Sequence, residues 1–305
     1  MAHELWTIAL AAGAGRRLAS VTGGVPKQYY RPEGARSLLE ETLARVRPLV
    51  APERTLTVVD AGHRPYVESF DPHSPFGEVV YQPMDRGTAA GVLLPLMKVR
   101  EAAPDAIVVV TPSDHGVGND ECFRKGISRA IARVRSGGCD IVLFGVEPSA
   151  IRADFGWIMP ATRGTRATTA FQPVASFVEK PPLHEARQLF SAGAVWNSMV
   201  LVASARALFD LYRQHLPFHA DVLSAAHMLD AGDRDAFLRD WYPDLPAADF
   251  CRDVLTPAAS ELCLYTWPIE MGWSDLGTPD RLQEWLAVQG RTLMMERPSR
   301  AERVA

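Results

Sequence analysis

Two adjacent arginines behind a run of small residues raise the first chemical expectation. The run is Ala12, Gly13, Ala14, Gly15, Arg16, Arg17, directly after the apolar stretch Leu5 to Ala11. Small residues let backbone N–H groups come close to a phosphate chain. The arginines, with Pro26-Lys27 a little further on, add the cations a triphosphate would need. No Gly-Lys-Ser/Thr follows, so this is not a Walker A loop, and Leu18 stands where the dinucleotide fingerprint has its third glycine. A second signal is Asp114, behind the apolar run IVVVTPS, at the carboxyl edge where open α/β sheets bind ligands. A carboxylate there suits Mg²⁺, which takes one or two carboxylates and completes its octahedron with phosphate oxygens and water. The same aspartate would serve equally as a helix cap or turn residue. His115 beside it reads as a hydrogen-bonding neighbour. The third signal, Trp273-Ser274-Asp275-Leu276-Gly277-Thr278, reads on its own as a loop opening a helix, with Thr278 as N-cap and Pro279 at the first position.

Elements that could hold these residues recur along the chain. Short runs rich in Val, Ile and Leu predict strands over Leu5 to Ala11, Thr55 to Asp60, Glu78 to Tyr81, Ala106 to Thr111 and Asp140 to Val146. Helical spacing predicts helices over Ser37 to Val46, Thr88 to Arg100 and Glu121 to Arg135. That alternation is the signature of an α/β fold with a largely parallel sheet. Further on, Val174 to Phe177 and Val195 to Val202 read as strands, and Ser204 to His215, Ala220 to Leu229 and Ala236 to Trp241 as helices. His215 and His219 have i, i+4 spacing, but Pro217 interrupts the helix that metal binding would require, so both read as loop and surface residues. With no repeat and no linker, one domain over residues 1–290 is expected. The arginine-bearing tail at 291–305 is expected to fray.

Composition narrows the function classes. The chain has 305 residues, 47% hydrophobic and 22% charged, with a formal net charge of -4. It therefore lacks the basic footprint of a nucleic-acid binder, and its length leaves ample room for a core. No stretch approaches the roughly 18 to 20 apolar residues of a membrane span. The apolar start lacks the basic region of a signal peptide and reads as a buried strand. Cys122, Cys139, Cys251 and Cys263 form no C-x-x-C pair. Reduced thiols in a cytoplasmic protein are expected.

Eight short motifs occur in order: LAAGAGRRL (Leu10 to Leu18), PKQYY (Pro26 to Tyr30), RGTAAG (Arg86 to Gly91), PSDH (Pro112 to His115), FGWI (Phe155 to Ile158), FVEKP (Phe177 to Pro181), WNSM (Trp196 to Met199) and WSDLGT (Trp273 to Thr278). Together they resemble the sugar-1-phosphate nucleotidyltransferases, most of all the bacterial mannose-1-phosphate guanylyltransferases. The resemblance implies a Rossmann-like (GT-A-like) α/β fold, with a mixed, mostly parallel central sheet flanked by helices. It also implies transfer of a nucleotidyl group from an NTP to a sugar 1-phosphate, most simply from GTP to mannose 1-phosphate.

Carried over by position, the resemblance implies that Ala11, Ala12, Gly13, Ala14 and Gly15 bind the nucleotide, with Arg17 on its phosphates and Lys27 at the reacting phosphorus. Asp114 and Asp275 would hold Mg²⁺. Arg86, Gly87 and Thr88 would lie near the base, and Gly156, Glu179, Lys180 and Asn197 on the sugar-phosphate side. The partners implied are small molecules, with no nucleic acid and no membrane, and a homo-oligomer stays open. Some positions depart from the family pattern. Gln82-Pro83 replaces the usual Glu-Pro, Gly87-Thr88-Ala89 also resembles uridylyl-type enzymes, and Cys251 and Thr256 fall where carboxylates are usual. Another base or sugar, or a non-catalytic relative that binds a nucleotide sugar, therefore remains as an alternative.

Overall fold

The computed structural model describes residues 3–32, 36–70, 76–162 and 171–290. The expected tail at 291–305 lies outside the described residues. Among the described residues nine strands form one sheet: β1 (Leu5–Ala11), β2 (Thr55–Asp60), β3 (Glu78–Gln82), β4 (Ile107–Pro112), β5 (Ile141–Val146), β6 (Gly156–Pro160), β7 (Gln172–Glu179), β8 (Val195–Ser204) and β9 (Cys263–Trp267). Their order is β3-β2-β1-β4-β8-β5-β9-β7-β6. The sheet is mixed. The segment β3-β2-β1-β4 is parallel, as is the β5–β9 pair, while β8 runs antiparallel to β4 and β5, and β6 runs antiparallel to β7 and β8.

Helices cover both faces of the sheet. They are α1 (Ala19–Thr22), α2 (Leu38–Val46), α3 (Arg64–Glu68), α4 (Gly87–Ala102), α5 (Asp120–Arg135), α6 (Leu183–Ser191), α7 (Ala205–His215), α8 (Pro217–His227), α9 (Ala231–Trp241) and α10 (Pro279–Val288). Side chains alternate across a strand, and β4 shows the result. Val108 and Val110 pack with α4, α7 and α8, while Ile107 and Val109 pack with Phe123, Ile127 and Ile131 of α5. Burial on both faces is why these strands read as unbroken apolar runs. The helix starts carry their own signals: Ser37 and Glu40 form a reciprocal capping box on α2, and Thr278 caps α10 ahead of Pro279.

Chain order places the functional cleft. From β1 the chain steps outward to β2 and β3, then returns to add β4 on the other side of β1. Helix α2 packs on Ala9 and Ala11 of β1, and α4 packs with Ile8 on the opposite face. Connections therefore diverge at the carboxyl ends of β1 and β4, and such a switch point opens a crevice above the sheet. Ala12 and Asp114 follow those two strand ends.

Two sequence expectations are corrected. Cys139 and Cys263 form a disulfide, with Cα atoms 6.4 Å apart, rather than remaining reduced thiols. Cys139 lies two residues before β5, Cys263 opens β9, and the parallel pairing of those strands sets Val142 opposite Cys263. A sequence separation of 124 hides this adjacency. His219 is not a surface loop residue: it lies in α8, is buried, and Nε2 sits 2.9 Å from the carbonyl of Pro246. Pro217 does separate it from His215, but as the first residue of α8, where its missing N–H costs nothing.

Candidate active site

The loop after β1 is braced from behind by Gln28. Its buried amide donates to the carbonyls of Ala11 (2.7 Å) and Gly13 (2.9 Å). Gly15 packs on the Pro26-Lys27 backbone so closely that a Cβ would lie 2.6 Å from the Lys27 nitrogen. Space opens beyond Gly13, whose Cβ position has nothing within 4 Å. Arg16 and Arg17 then begin a short 3-10 turn and are exposed.

Lys27 ties this loop to both candidate carboxylates. It is only 5% exposed, and Nζ lies 3.0 Å from Asp114 Oδ2 and donates to the Asp275 backbone carbonyl at 2.8 Å. Burial alone would push the Asp114 carboxyl up, but Lys27, His115 and a backbone N–H together hold it below the usual aspartate value. Burial pushes His115 down, against the pull of the Asp114 carboxylate. Its Nδ1 accepts from Trp273 Nε1 at 3.3 Å, which assigns the proton to Nε2, 3.8 Å from Asp114 Oδ1. Asp275 Oδ1 accepts from the Gly277 N–H at 3.0 Å and lies 2.9 Å from Arg281 Nε.

Beyond β3, Asp85 caps the turn into α4 by accepting from Gly87 N–H at 2.8 Å. Gly87 has a φ of 82°, and a Cβ would collide with the Ala248 carbonyl. The Ala89 N–H donates to that same carbonyl at 3.1 Å, and Thr88 Oγ1 accepts from Phe250 N–H at 2.8 Å. Gly87→Ala should therefore cost about 1–3 kcal/mol from the left-handed backbone alone. A denaturant midpoint unchanged from wild type would contradict this. Arg86 turns away, to the Pro243 carbonyl.

At the far end, the β6–β7 pairing sets Gly156 opposite Glu179. Any side chain at 156 would fill the room Glu179 uses, since a Cβ would sit 2.5 Å from Oε2. Burial pushes the Glu179 carboxyl up, partly offset by Lys180, whose Nζ is 2.6 Å away. Asn197 on β8 donates to Cys251 Sγ at 3.3 Å and accepts from Met199 N–H at 3.0 Å. Lys180, Met199 and Leu276 are the non-glycine residues with left-handed backbones among those described. Lys180 and Met199 line the cleft, and Leu276 follows Asp275.

One cleft of about 610 Å³ joins these parts. Of the residues singled out from sequence, Ala12, Gly13, Arg17, Gly87, Thr88, Asp114, Gly156, Glu179, Lys180, Asn197 and Asp275 line it. Lys27 reaches it through Asp114. Ala11, Ala14, Gly15 and Arg86 are not on its wall among the described residues.

A family model described as nucleotidyl transferase matches residues 6–288, nearly the whole of this arrangement. The chain belongs to the nucleotidyl transferase family. Curated relatives in line with this membership include the xanthan biosynthesis protein XanB of Xanthomonas campestris pv. campestris (strain B100), 28% identical over 90% of this chain and 58% of its own length. Another is the mannose-1-phosphate guanylyltransferase of Sinorhizobium fredii, 29% identical over 89% of this chain and 53% of its own. The chain thus spans little more than half of these relatives. A crystal structure from Thermus thermophilus, described as a mannose-1-phosphate geranyltransferase, superposes with a TM-score of 0.80 at 27% identity, covering 93% of this chain and 79% of that one.

As a member of the nucleotidyl transferase family, the chain can be tested for a divalent cation on its own donors. Among the described residues no three His, Cys, Asp or Glu side chains gather around one point. Two carboxylates do face the cleft, Asp114 held ionised and Asp275 with one oxygen already anchored. That set fits Mg²⁺, which leaves most of its shell to phosphate oxygens and water. Sequence reasoning missed Gln28, though it lies within PKQYY, and assigned no role to Ala247, Ala248, Asp249 and Arg252 of the cleft wall. The first three lead into a π-helical turn, Phe250–Leu255, which contains Arg252 and which no periodicity announces.

Proposed function

We propose that the chain makes GDP-mannose and pyrophosphate from GTP and mannose 1-phosphate. The observation that carries this reading is the single cleft, with a glycine loop, cations and two carboxylates at one end and Glu179, Lys180 and Asn197 at the other. The names of curated relatives supply the base and sugar. An ionised phosphate oxygen of the sugar phosphate attacks the α-phosphorus, the bond to the β-phosphate breaks, and pyrophosphate carries away the charge. No protein nucleophile is needed. The chain's task is to hold two repelling anions in line and stabilise the transition state. Loop N–H groups, Arg17 and Lys27 would hold the nucleotide phosphates, and Lys180 the sugar phosphate. Mg²⁺, held by Asp114 and Asp275 when bound, would neutralise phosphate oxygens. Substrates of this kind are cytoplasmic metabolites, and a cytoplasmic location goes with the reading.

Gln82 bears on the base. It is buried on the cleft wall, its Nε2 donates to the Met84 carbonyl at 2.9 Å, and Oε1, an acceptor, lies beside Gly91. An acceptor suits the N1–H of guanine. It suits the N3–H of uracil or thymine as well, so UTP or dTTP is the second reading. The ring nitrogens that adenine and cytosine present at that edge are themselves acceptors. Pyrophosphate release with Mg²⁺ should therefore be seen with GTP and mannose 1-phosphate, and be weak with ATP and CTP. Release only with UTP or dTTP and another sugar phosphate would replace the substrates, and silence from a folded, nucleotide-binding sample would favour a non-catalytic relative.

A further inference from the structure

Arg281 stands outside every motif the sequence singled out, yet its side chain is 9% exposed and sits between two acidic groups. It is the third residue of α10, and Thr278 Oγ1 caps its own N–H. Nε lies 2.9 Å from Asp275 Oδ1, Nη1 donates to Asp154 Oδ2 at 3.0 Å, and the guanidinium lies over the Phe155 ring at 4.9 Å. Asp154, Phe155 and Gly156 form the entry to β6 on the sugar side of the cleft. Gly277 leaves room for this convergence: a Cβ there would lie 2.8 Å from Asp275 Oδ2, 2.9 Å from Arg281 Nη2 and 3.1 Å from Arg17 Nη2.

Asp275 is followed by Leu276, a buried residue with a left-handed backbone at φ 44°. A carboxylate on such a loop needs an external hold to keep one orientation. The Gly277 N–H donates to Oδ1 and the Arg281 guanidinium pairs with that same oxygen as a charge, without a hydrogen bond from Nε, so Oδ2 is the oxygen left for another partner among the described residues. We propose that Arg281 is a positioning residue, which fixes Asp275 for a divalent cation and locks that carboxylate to the Asp154-Phe155-Gly156 segment. This rests on the reading of Asp275 as a cation ligand given above. Groups that orient a metal ligand from behind matter nearly as much as the ligand itself.

The test uses the full chain, with Mn²⁺ as the probe and the free ion followed by electron paramagnetic resonance. Arg281→Lys and Arg281→Met should each weaken Mn²⁺ binding by about 10- to 100-fold. In turnover assays the loss should appear as a higher Mg²⁺ half-saturation, with turnover largely recovered when Mg²⁺ is raised. A residue that merely supports the fold would not produce that split. Asp154→Asn, which leaves the Arg281–Asp275 pair intact, should shift Mn²⁺ binding less and in the same direction. If Arg281 acted only as a nearby positive charge, Arg281→Met would tighten Mn²⁺ binding and Arg281→Lys would leave it unchanged. Either that pattern or unchanged binding in both variants overturns the proposal. Should Arg281→Met fail to fold, Arg281→Lys, which keeps a charge between the two carboxylates, decides alone. A wild-type chain that binds no Mn²⁺ overturns the cation reading and this proposal together. A chain that binds Mn²⁺ and releases pyrophosphate while its Arg281 variants behave as wild type overturns this proposal alone.

Discussion

Asp114→Asn is expected to lower turnover on the order of 10²-fold or more while leaving the chain folded, the scale for losing one preorganised electrostatic group. The carboxylate stands just past the end of β4, its Oδ2 3.0 Å from Lys27 Nζ and its Oδ1 3.8 Å from His115 Nε2. Asparagine keeps the shape and still offers Lys27 a carbonyl oxygen. What it removes is the negative charge a cation would need. The side chain is 34% exposed, so the stability cost stays well below that of splitting a fully buried pair. Steady-state rates at limiting and saturating Mg²⁺, with circular dichroism as the folding control, make the check. Unchanged turnover at limiting Mg²⁺ would remove Asp114 from the site.

The legibility of Asp114 has a physical basis. β4 is buried along its whole length, so its apolar run marks the strand, and the first acidic residue beyond it has to lie at the sheet's carboxyl edge. The glycine loop is legible for the same reason, since β1 is also an apolar run and the small residues follow at once. β6, reading GWIMP, and β9, reading CLYTW, were not legible. Each is five residues long and mixes polar or turn-forming residues with apolar ones, so neither alternates nor runs. Their places in the sheet come from pairing with β7, β8 and β5. The wall at Ala247 to Arg252, where the sequence marked only Cys251 as a departure from the family pattern, was otherwise hidden likewise. It reaches the cleft because the Ala248 carbonyl and the Phe250 N–H bond to the start of α4, more than 150 residues away. Arg281 sits one turn into a helix whose start was legible, but its ion pair with Asp154 joins segments 127 residues apart in sequence. Such proximity is a property of the fold and leaves no local trace.

Lys27→Met should cost as much activity as Asp114→Asn or more, about 10²- to 10³-fold in turnover. Pro26 and the 3-10 turn Lys27–Tyr29 carry this side chain inward, where it is 5% exposed. From there it reaches Asp114 and also the Asp275 backbone, which lies 248 residues from Lys27 in sequence. The ammonium thus gathers both carboxylate-bearing loops, and a bound cation that takes Asp114 would release it toward the phosphates. Methionine keeps most of the volume and none of the charge, which separates electrostatics from packing. Lys27 and Asp114 act as a unit in this geometry, so their effects should not add. The double variant, Lys27→Met with Asp114→Asn, should turn over within about tenfold of the worse single variant, since removing one partner already disables the pair. Full additivity of the two losses would mean that Lys27 meets substrate independently of Asp114, and its contact with that carboxylate would then be only a resting position.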